Sequence, residues 1–461
     1  MTGSSGGDQG PSRRDFLRAA GAGSALLLLP GAPALTGGDR ALAELLRPGA
    51  ADRAQEGVLR VGHVSPSGGP LASMGRAGAR GARLGAEDAT SAASLFDLEF
   101  RLVEETAEGA DDAVAAFERL VDGGASAVVG GYGDETCAAL MDAAVRLEVP
   151  FLNVGSTADR FRGEACSRTT FHVQGSDTMY LDAAVHWLVR RSRQGLVNYG
   201  GHRQELWRWS FLYRDDERGR RLVDRASATL ERMDGEPLGR FPVAPDGGDA
   251  AAALREAADA DPWAVVVVAD GPVLGSVVGA HAASGGDHDL VLPFGDRRRH
   301  TTDGWAPEAF WPGLWHSGNF RYGATQLNDR FRERFDRPMG PQAWANWTAV
   351  KLLGDQLVAA ADEGGGGDLG LTARLEEDVR FDGYKPSPLA FRPWNHQMNQ
   401  AMYLLHPSVG DTASDPYQSV GRVPLRAADD QYITQEIVDR LGMMGRSAAE
   451  SGCTTSNPVT R

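Results

Sequence analysis

Two rhythms of apolar residues alternate along the chain from Leu59 onward. Leu59–Val64 is a short apolar run that predicts a strand, and Gly78, Gly81, Ala82, Gly85, Ala86 and Ala89 then recur at steps of three and four. That spacing predicts a helix whose small-residue face lies close on a sheet. Phe96–Glu104 predicts the next strand, and Asp111–Val121 a helix turning Val114, Phe117 and Val121 inward. Ala127–Gly130 is apolar throughout, as a strand covered on both faces should be. Four strands with three intervening helices and short connections imply right-handed crossovers and a parallel sheet.

A second series begins near Thr178 with a helix carrying Leu181, Val185 and Leu188 on one face. The strand Trp209–Tyr213, a polar loop Arg214–Gly219, a helix with Leu222, Ala226 and Leu230, another with Leu254 and Ala258, and the strands Ala264–Ala269 and Leu290–Phe294 complete it. The predicted class is therefore α/β, with two similar doubly wound parallel-sheet lobes. An aromatic-rich segment Trp305–Phe320, a helix with Phe331 and Phe335, a long helix Trp344–Ala361 and a glycine break Gly364–Gly367 follow.

Chemistry enters at the loops. Tyr132–Thr136 opens a helix after a buried strand, and its first amides have no partner within the helix. Such amides, backed by the helix dipole, form a seat for a carboxylate or another anion, and Asn153–Thr157 repeats the device one strand later. Ligands of open parallel sheets sit beyond the carboxyl ends of strands, so both loops can line one crevice; both also read as ordinary turns between strand and helix.

Charge narrows the partners. The net charge of −15 over 461 residues makes nucleic acid and anionic membrane surfaces poor ones. Residues 1–43 read as an export address: Ser12, Arg13, Arg14, Asp15, Phe16, Leu17 and Arg18 form a twin-arginine pattern, followed by an apolar stretch Ala19–Leu35 too rich in Gly and Pro for a membrane span. The expectation is a soluble exported protein, periplasmic or extracellular, with no membrane insertion after cleavage. Cys137, Cys166 and Cys453 are too few for a disulfide scaffold. Cys137 and Cys166 form either a bridge or two separate buried thiols, and Cys453 is expected free.

Taken in order, GHVSPSGGPLASMGRAGARGARLGAED, AVVGGYGDET, VPFLNVGSTADRF, FLYRDDERG, AVVVVADGPVLG and FRPWNHQ resemble the type I periplasmic binding proteins of the branched-chain amino-acid type, the solute receptors of ABC importers. The resemblance covers roughly Val58–Pro407. It implies two lobes joined by a three-strand hinge, with crossings near Val173, Asp296 and Leu389. One lobe would hold residues 58–173 and 297–388, the other 174–296 and 389–408, with 409–461 an extension. The segment Gln431–Met444 there carries Ile433, Ile437 and Leu441 at helical spacing.

The resemblance also implies a site. Glu135, Thr136, Ser156 and Thr157 match the positions that grip a ligand carboxylate, Met74 falls where an apolar residue flanks the ligand, and Tyr132 adds a face for stacking. In the second lobe the acid that meets a ligand ammonium is replaced near Val273, with Asp270 or Asp216 as substitutes, and the aromatic of the preceding loop is replaced by Arg218. Arg218 reads first as a solvated loop charge; facing the cleft, its fork would grip an acidic group. The implied partners are a small-molecule solute and an ABC permease, with no cofactor and no metal.

A sensor of the same fold is the alternative to import, and an exported α/β enzyme the rival class. Against an enzyme, the chain beyond the export address has no Gly-x-Ser-x-Gly and no HExxH, and Gly131-Tyr132-Gly133 lacks the third glycine of a dinucleotide loop. The acids Asp215, Asp216 and Glu217 read as hydrated loop charges, and Arg297–Arg299 with His300 as a solvent-facing run.

Overall fold

Strand β1 (Val58–Pro66) pairs in parallel with β2 (Glu99–Ala107) on one side and β3 (Ala127–Gly130) on the other; β4 (Phe151–Asn153) and β5 (Thr170–His172) extend the sheet in parallel. The order is β2-β1-β3-β4-β5. The computed structural model describes residues 58–193, 208–285, 288–296, 309–362, 370–377, 379–407, 417–423 and 444–453. The signal segment 1–43, the run Arg297–His300, the break Gly364–Gly367 and the predicted helical segment 431–443 lie outside the described residues. Helices α1 (Ala72–Ser94), α2 (Ala110–Asp122) and α3 (Asp134–Leu147) make the crossovers. Successive strand residues face opposite sides, so Val128 and Phe151 join the core under α2 and α3, while Ala127, Val129 and Leu152 join the core on the other face.

The second sheet has the order β14-β13-β10-β9-β8-β6-β7. After α4 (Asp177–Arg193) come β6 (Arg208–Arg214), α5 (Glu217–Arg232), β7 (Glu236–Val243), α6 (Ala250–Asp259), β8 (Ala264–Val268), α7 (Gly271–Ser284), β9 (Asp289–Val291) and β10 (Ala309–Gly313). The strands β6 to β10 are parallel. The chain continues through α8 (Ala324–Phe335), α9 (Pro341–Asp362), α10 (Leu371–Glu376), a small hairpin of β11 (Ala390–Phe391) and β12 (Met398–Asn399), then β13 (Met402–Pro407), β14 (Tyr417–Val423) and α11 (Ala448–Ser451). β13 adds antiparallel to β10, and β14 antiparallel to β13.

Three expectations change. First, β10 and β14 belong to the seven-stranded sheet, whereas the resemblance implies that 297–388 lies in the first lobe and 409–461 is an extension. Pro312 and Gly313 hide β10 from a pattern reading; the parallel pairing with β9 stops at Phe310, so Pro312 needs to donate no hydrogen bond to β9. The chain therefore returns to the first lobe after Gly313, where Arg330 and Arg334 of α8 pair with Asp88 and Glu87 of α1. Gln397 is bridged to His172, which keeps the small hairpin with the first lobe, and the last passage runs through Gln400 and Ala401. Gln400 Nε2 donates to the Val173 carbonyl (2.7 Å), joining the first and last passages.

Second, the small-residue stripe of α1 seats another helix more than a sheet. A Cβ on Gly81 would lie 1.9 Å from the Ala343 carbonyl oxygen of α9, and one on Gly85 2.8 Å from that of Trp347. Third, Cys166 is bonded to Cys453, and Cys137 is the buried free thiol. Cys137 sits on the inner face of α3, where burial pushes its pKa up to about 12.

Candidate functional site

Both loops singled out in the sequence close on each other at the end of the first sheet. Gly131 and Gly133 adopt φ of +87° and +88°, a region that glycine enters freely, and this folds the loop back before α3. A Cβ on Gly155 would lie 2.5 Å from the Gly131 carbonyl oxygen, so the two loops pack backbone to backbone. Asn153 Oδ1 accepts from the amides of Gly155 (3.0 Å) and Ser156 (2.9 Å), an Asx turn that fixes the second loop. The first turn of α3 has no side-chain cap. Its N-cap, Gly133, offers those first amides no side-chain acceptor.

The second lobe meets these loops through α4. Thr157 Oγ1 donates to Asp177 Oδ1 (2.7 Å) and the Asp177 amide donates to the Thr157 carbonyl (2.7 Å), while the Thr178 amide donates to Asp159 Oδ1 (3.2 Å). Arg218, in the first turn of α5, places Nε and Nη2 on the two Asp177 oxygens (3.0 and 2.9 Å) and Nη1 on Asp270 Oδ2 (3.0 Å). Its guanidinium lies 5.3 Å from the centre of the Phe294 ring. Burial opposes the charge on Arg218, yet the Asp177 and Asp270 carboxylates outweigh it and hold the pKa well above its ordinary value. Asp159 is raised above the usual carboxylate range, by burial first and by the neighbouring Asp177 second.

Between the lobes lies a cavity of about 270 Å³. Asp134, Asp159 and Arg160 line it from the first lobe, Thr178, Arg218 and Arg221 from the second, and Arg446 from the C-terminal segment. A second cavity, of about 350 Å³, sits over the ends of β1 and β2 and is more apolar, with Pro66, Pro70, Leu71, Tyr132 and Thr136 in its wall. The first turn of α3 divides the two: Asp134 faces one and Thr136 the other.

The predicted residues fall unevenly on this geometry. Ser156 and Thr157 are fully buried and line neither cavity; they touch the first one only through Asp134, to which Ser156 Oγ donates (2.7 Å), and Asp177, to which Thr157 Oγ1 donates. Tyr132 and Thr136 line the second cavity; the Tyr132 hydroxyl donates to Asn346 Oδ1 (2.9 Å) and contacts His63 Nε2 (3.2 Å), in space that Gly78 leaves open. Met74 is a core residue, and Glu135 is exposed; neither lines either cavity. Arg218 is no solvated loop charge but a half-buried ion-paired group. Asp216 caps α5 through the Gly219 amide (2.7 Å), and Val273 is buried on α7. Asp134, Asp159 and Asp177 escaped the sequence reading. Each stands at a turn or helix start, where an acid reads first as a cap or dipole partner.

Among the described residues no group of His, Cys, Asp and Glu could hold a metal ion, and no helix is long and apolar enough to cross a membrane. The family model described as Periplasmic binding protein matches residues 58–411. A solved branched-chain amino acid ABC transporter periplasmic ligand-binding protein from Burkholderia xenovorans LB400 is similar, with a TM-score of 0.67 at 14% identity, over 87% of this chain and 100% of that one. An amino acid ABC transporter substrate-binding protein from Pseudomonas fluorescens Pf-5 gives 0.66 at 16%, over 86% and 99%. A solute binding protein of an ABC transporter from R. palustris, solved in complex with benzoate, gives 0.60 at 18%, over 81% and 98%. A search of curated proteins finds no match. At these identities the likeness to solved structures is one of fold, and it agrees with the two sheets and the cleft between them. With the family model spanning both lobes, the chain belongs to the periplasmic binding protein family.

Proposed function

We propose that this protein is an exported solute receptor that catches a small carboxylate-bearing metabolite between its lobes and hands it, unchanged, to an ABC permease. The observation that carries the reading is the cavity walled from both lobes, with the uncapped start of α3 on one side and Arg218 on the other. Helix-start amides favour an anion, and the guanidiniums of Arg160, Arg218, Arg221, Arg225 and Arg446 line the same space against the carboxyls of Asp134, Asp159, Asp177 and Glu450. Asp177 and Asp270 hold the Arg218 fork in place before any ligand arrives. The adjoining apolar cavity suits a hydrocarbon or ring attached to the carboxylate. Amino acid and benzoate receptors among the solved relatives share that chemistry. The pattern Ser12–Arg18 supports export by the twin-arginine route.

The test is a thermal-shift screen that pairs each acid with its amide: benzoate with benzamide, 4-hydroxybenzoate with its amide, leucine with leucinamide. A ligand that binds only the folded state raises the melting temperature by mass action. At least one acid should do so while its amide does not, and Ser156→Ala and Thr157→Ala should each weaken binding without unfolding the protein. Equal shifts from acid and amide would end the anion reading, and altered mass of the recovered ligand would end the non-catalytic one.

A further inference from the structure

Residues Met444–Cys453 lie beyond the stretch matched to the family and touch both sides of the cleft. On the first lobe Cys453 is bonded to Cys166, Ser451 Oγ donates to the Arg162 carbonyl, and Arg446 Nη1 stands 3.6 Å from Glu164. On the second lobe the Gly445 amide donates to Asp182 Oδ2 of α4 (2.9 Å), and Arg225 of α5 donates to the Gly445 carbonyl (3.1 Å) and pairs with Glu450 (2.9 Å). The fit is close. A Cβ on Gly163 would lie 2.8 Å from both Arg446 Nη1 and the Ser451 carbonyl, and one on Gly445 (φ +84°) 2.8 Å from Met179.

Opening the cleft by rigid rotation moves Cys166 and Glu164 away from Asp182 and Arg225, so the segment cannot keep both sets of contacts. One set is covalent. The other is an ion-pair and hydrogen-bond cluster around Asp182, whose side chain is only 1% exposed and is also held by Arg225 Nη2 (2.8 Å). Arg446 and Glu450 meanwhile stand in the wall of the interlobe cavity.

We infer that Met444–Cys453 is a clasp: fastened to the first lobe by the Cys166–Cys453 bond, it grips α4 and α5 of the second lobe and biases the cleft toward the closed state. The inference rests on the two-lobe reading but not on which ligand binds. Its readouts therefore use ligand-free protein, and failure would leave the carboxylate reading standing.

The Asp177 and Thr178 amides report closure directly, because their acceptors, the Thr157 carbonyl and Asp159, lie in the other lobe. Hydrogen exchange and solution scattering are compared for the full chain as isolated, after reduction with tris(2-carboxyethyl)phosphine, and as Cys453→Ser. Breaking the bond should speed exchange of these two amides at least several-fold and raise the radius of gyration, with exchange in β3 and β8 unchanged. Should Cys453→Ser fail to fold, the reduced native chain supplies the answer, with mass spectrometry confirming both thiols. Unchanged exchange and scattering after reduction would overturn the inference. So would equal acceleration throughout β3 and β8, which makes the segment a structural part of one cooperative unit.

Discussion

The two walls of the cleft are built differently. On the first-lobe side the groups other than Arg160 are short, and backbone fixes their loops: Asn153 holds the amides of Gly155 and Ser156, and glycines let two loops and two helices touch. On the second-lobe side the wall is made of long side chains, with Arg218 held by two carboxylates beside Arg221. Backbone donors at a helix start keep the same chemistry whatever side chains surround them, whereas an arginine clamped by Asp177 and Asp270 is set by three replaceable residues. Under the carboxylate reading proposed above, the first wall is the general anion seat and the second sets selectivity.

The largest expected effect concerns the first lobe. His63 is fully buried, and burial, against the opposing pull of Glu104, lowers its pKa from 6.5 to about 4. A histidine with a depressed folded pKa stabilises the neutral form; that contribution is full above pH 6.5 and is lost as pH falls toward 4. The loss reaches about 3 kcal/mol by pH 4. His172 and His396 are lowered too, in the first lobe and beside the hinge. Urea titrations at pH 7 and pH 4.5 should show the loss, and His63→Gln should reduce it, leaving the part due to His172 and His396; a pH-independent midpoint would remove the contrast.

Next comes the helix seam. Gly81→Ala pushes a methyl into the Ala343 carbonyl and should cost about 2 kcal/mol, read as a lower urea midpoint with unchanged slope. For the second wall, Arg218→Ala removes the guanidinium from Asp177 and Asp270; because Arg218 is partly exposed, about 2 kcal/mol is expected, short of a fully buried pair. Arg218→Lys should recover only part of it, since an ammonium cannot match the two-pronged contact. Smallest, and of opposite sign, is Gly279→Ala. Nothing lies within 4 Å of a Cβ there, so the change should raise helix stability by about 1 kcal/mol or less. Matching signs for Gly81→Ala and Gly279→Ala would sink the claim that Gly81 is there to let two helices approach closely.

Most of this architecture was legible in the sequence because parallel strands buried on both faces read as short apolar runs. AVVG at Ala127–Gly130 and AVVVV at Ala264–Val268 are fully buried strands. β7 escaped notice because Pro237, Gly239 and Pro242 interrupt it and its edge position leaves much of it half-exposed. The loops at Tyr132 and Asn153 were legible from the same strand-to-helix punctuation. Asp177 and Asp159 were not, since their partners lie across the lobes and local spacing carries no trace of a contact made by closure. The disulfide was misread for a related reason: its cysteines are 287 positions apart, and a link of that span leaves no periodic mark.

Shielding Cys137 on the inner face of α3 bears on maturation. Three cysteines admit three different bridges, but a thiol with pKa near 12 inside a packed helix presents almost no thiolate to an oxidant. Folding first and oxidising afterwards therefore yields a single isomer without proofreading by an isomerase. Oxidation of the unfolded chain forfeits that safeguard, because all three sulfurs then compete.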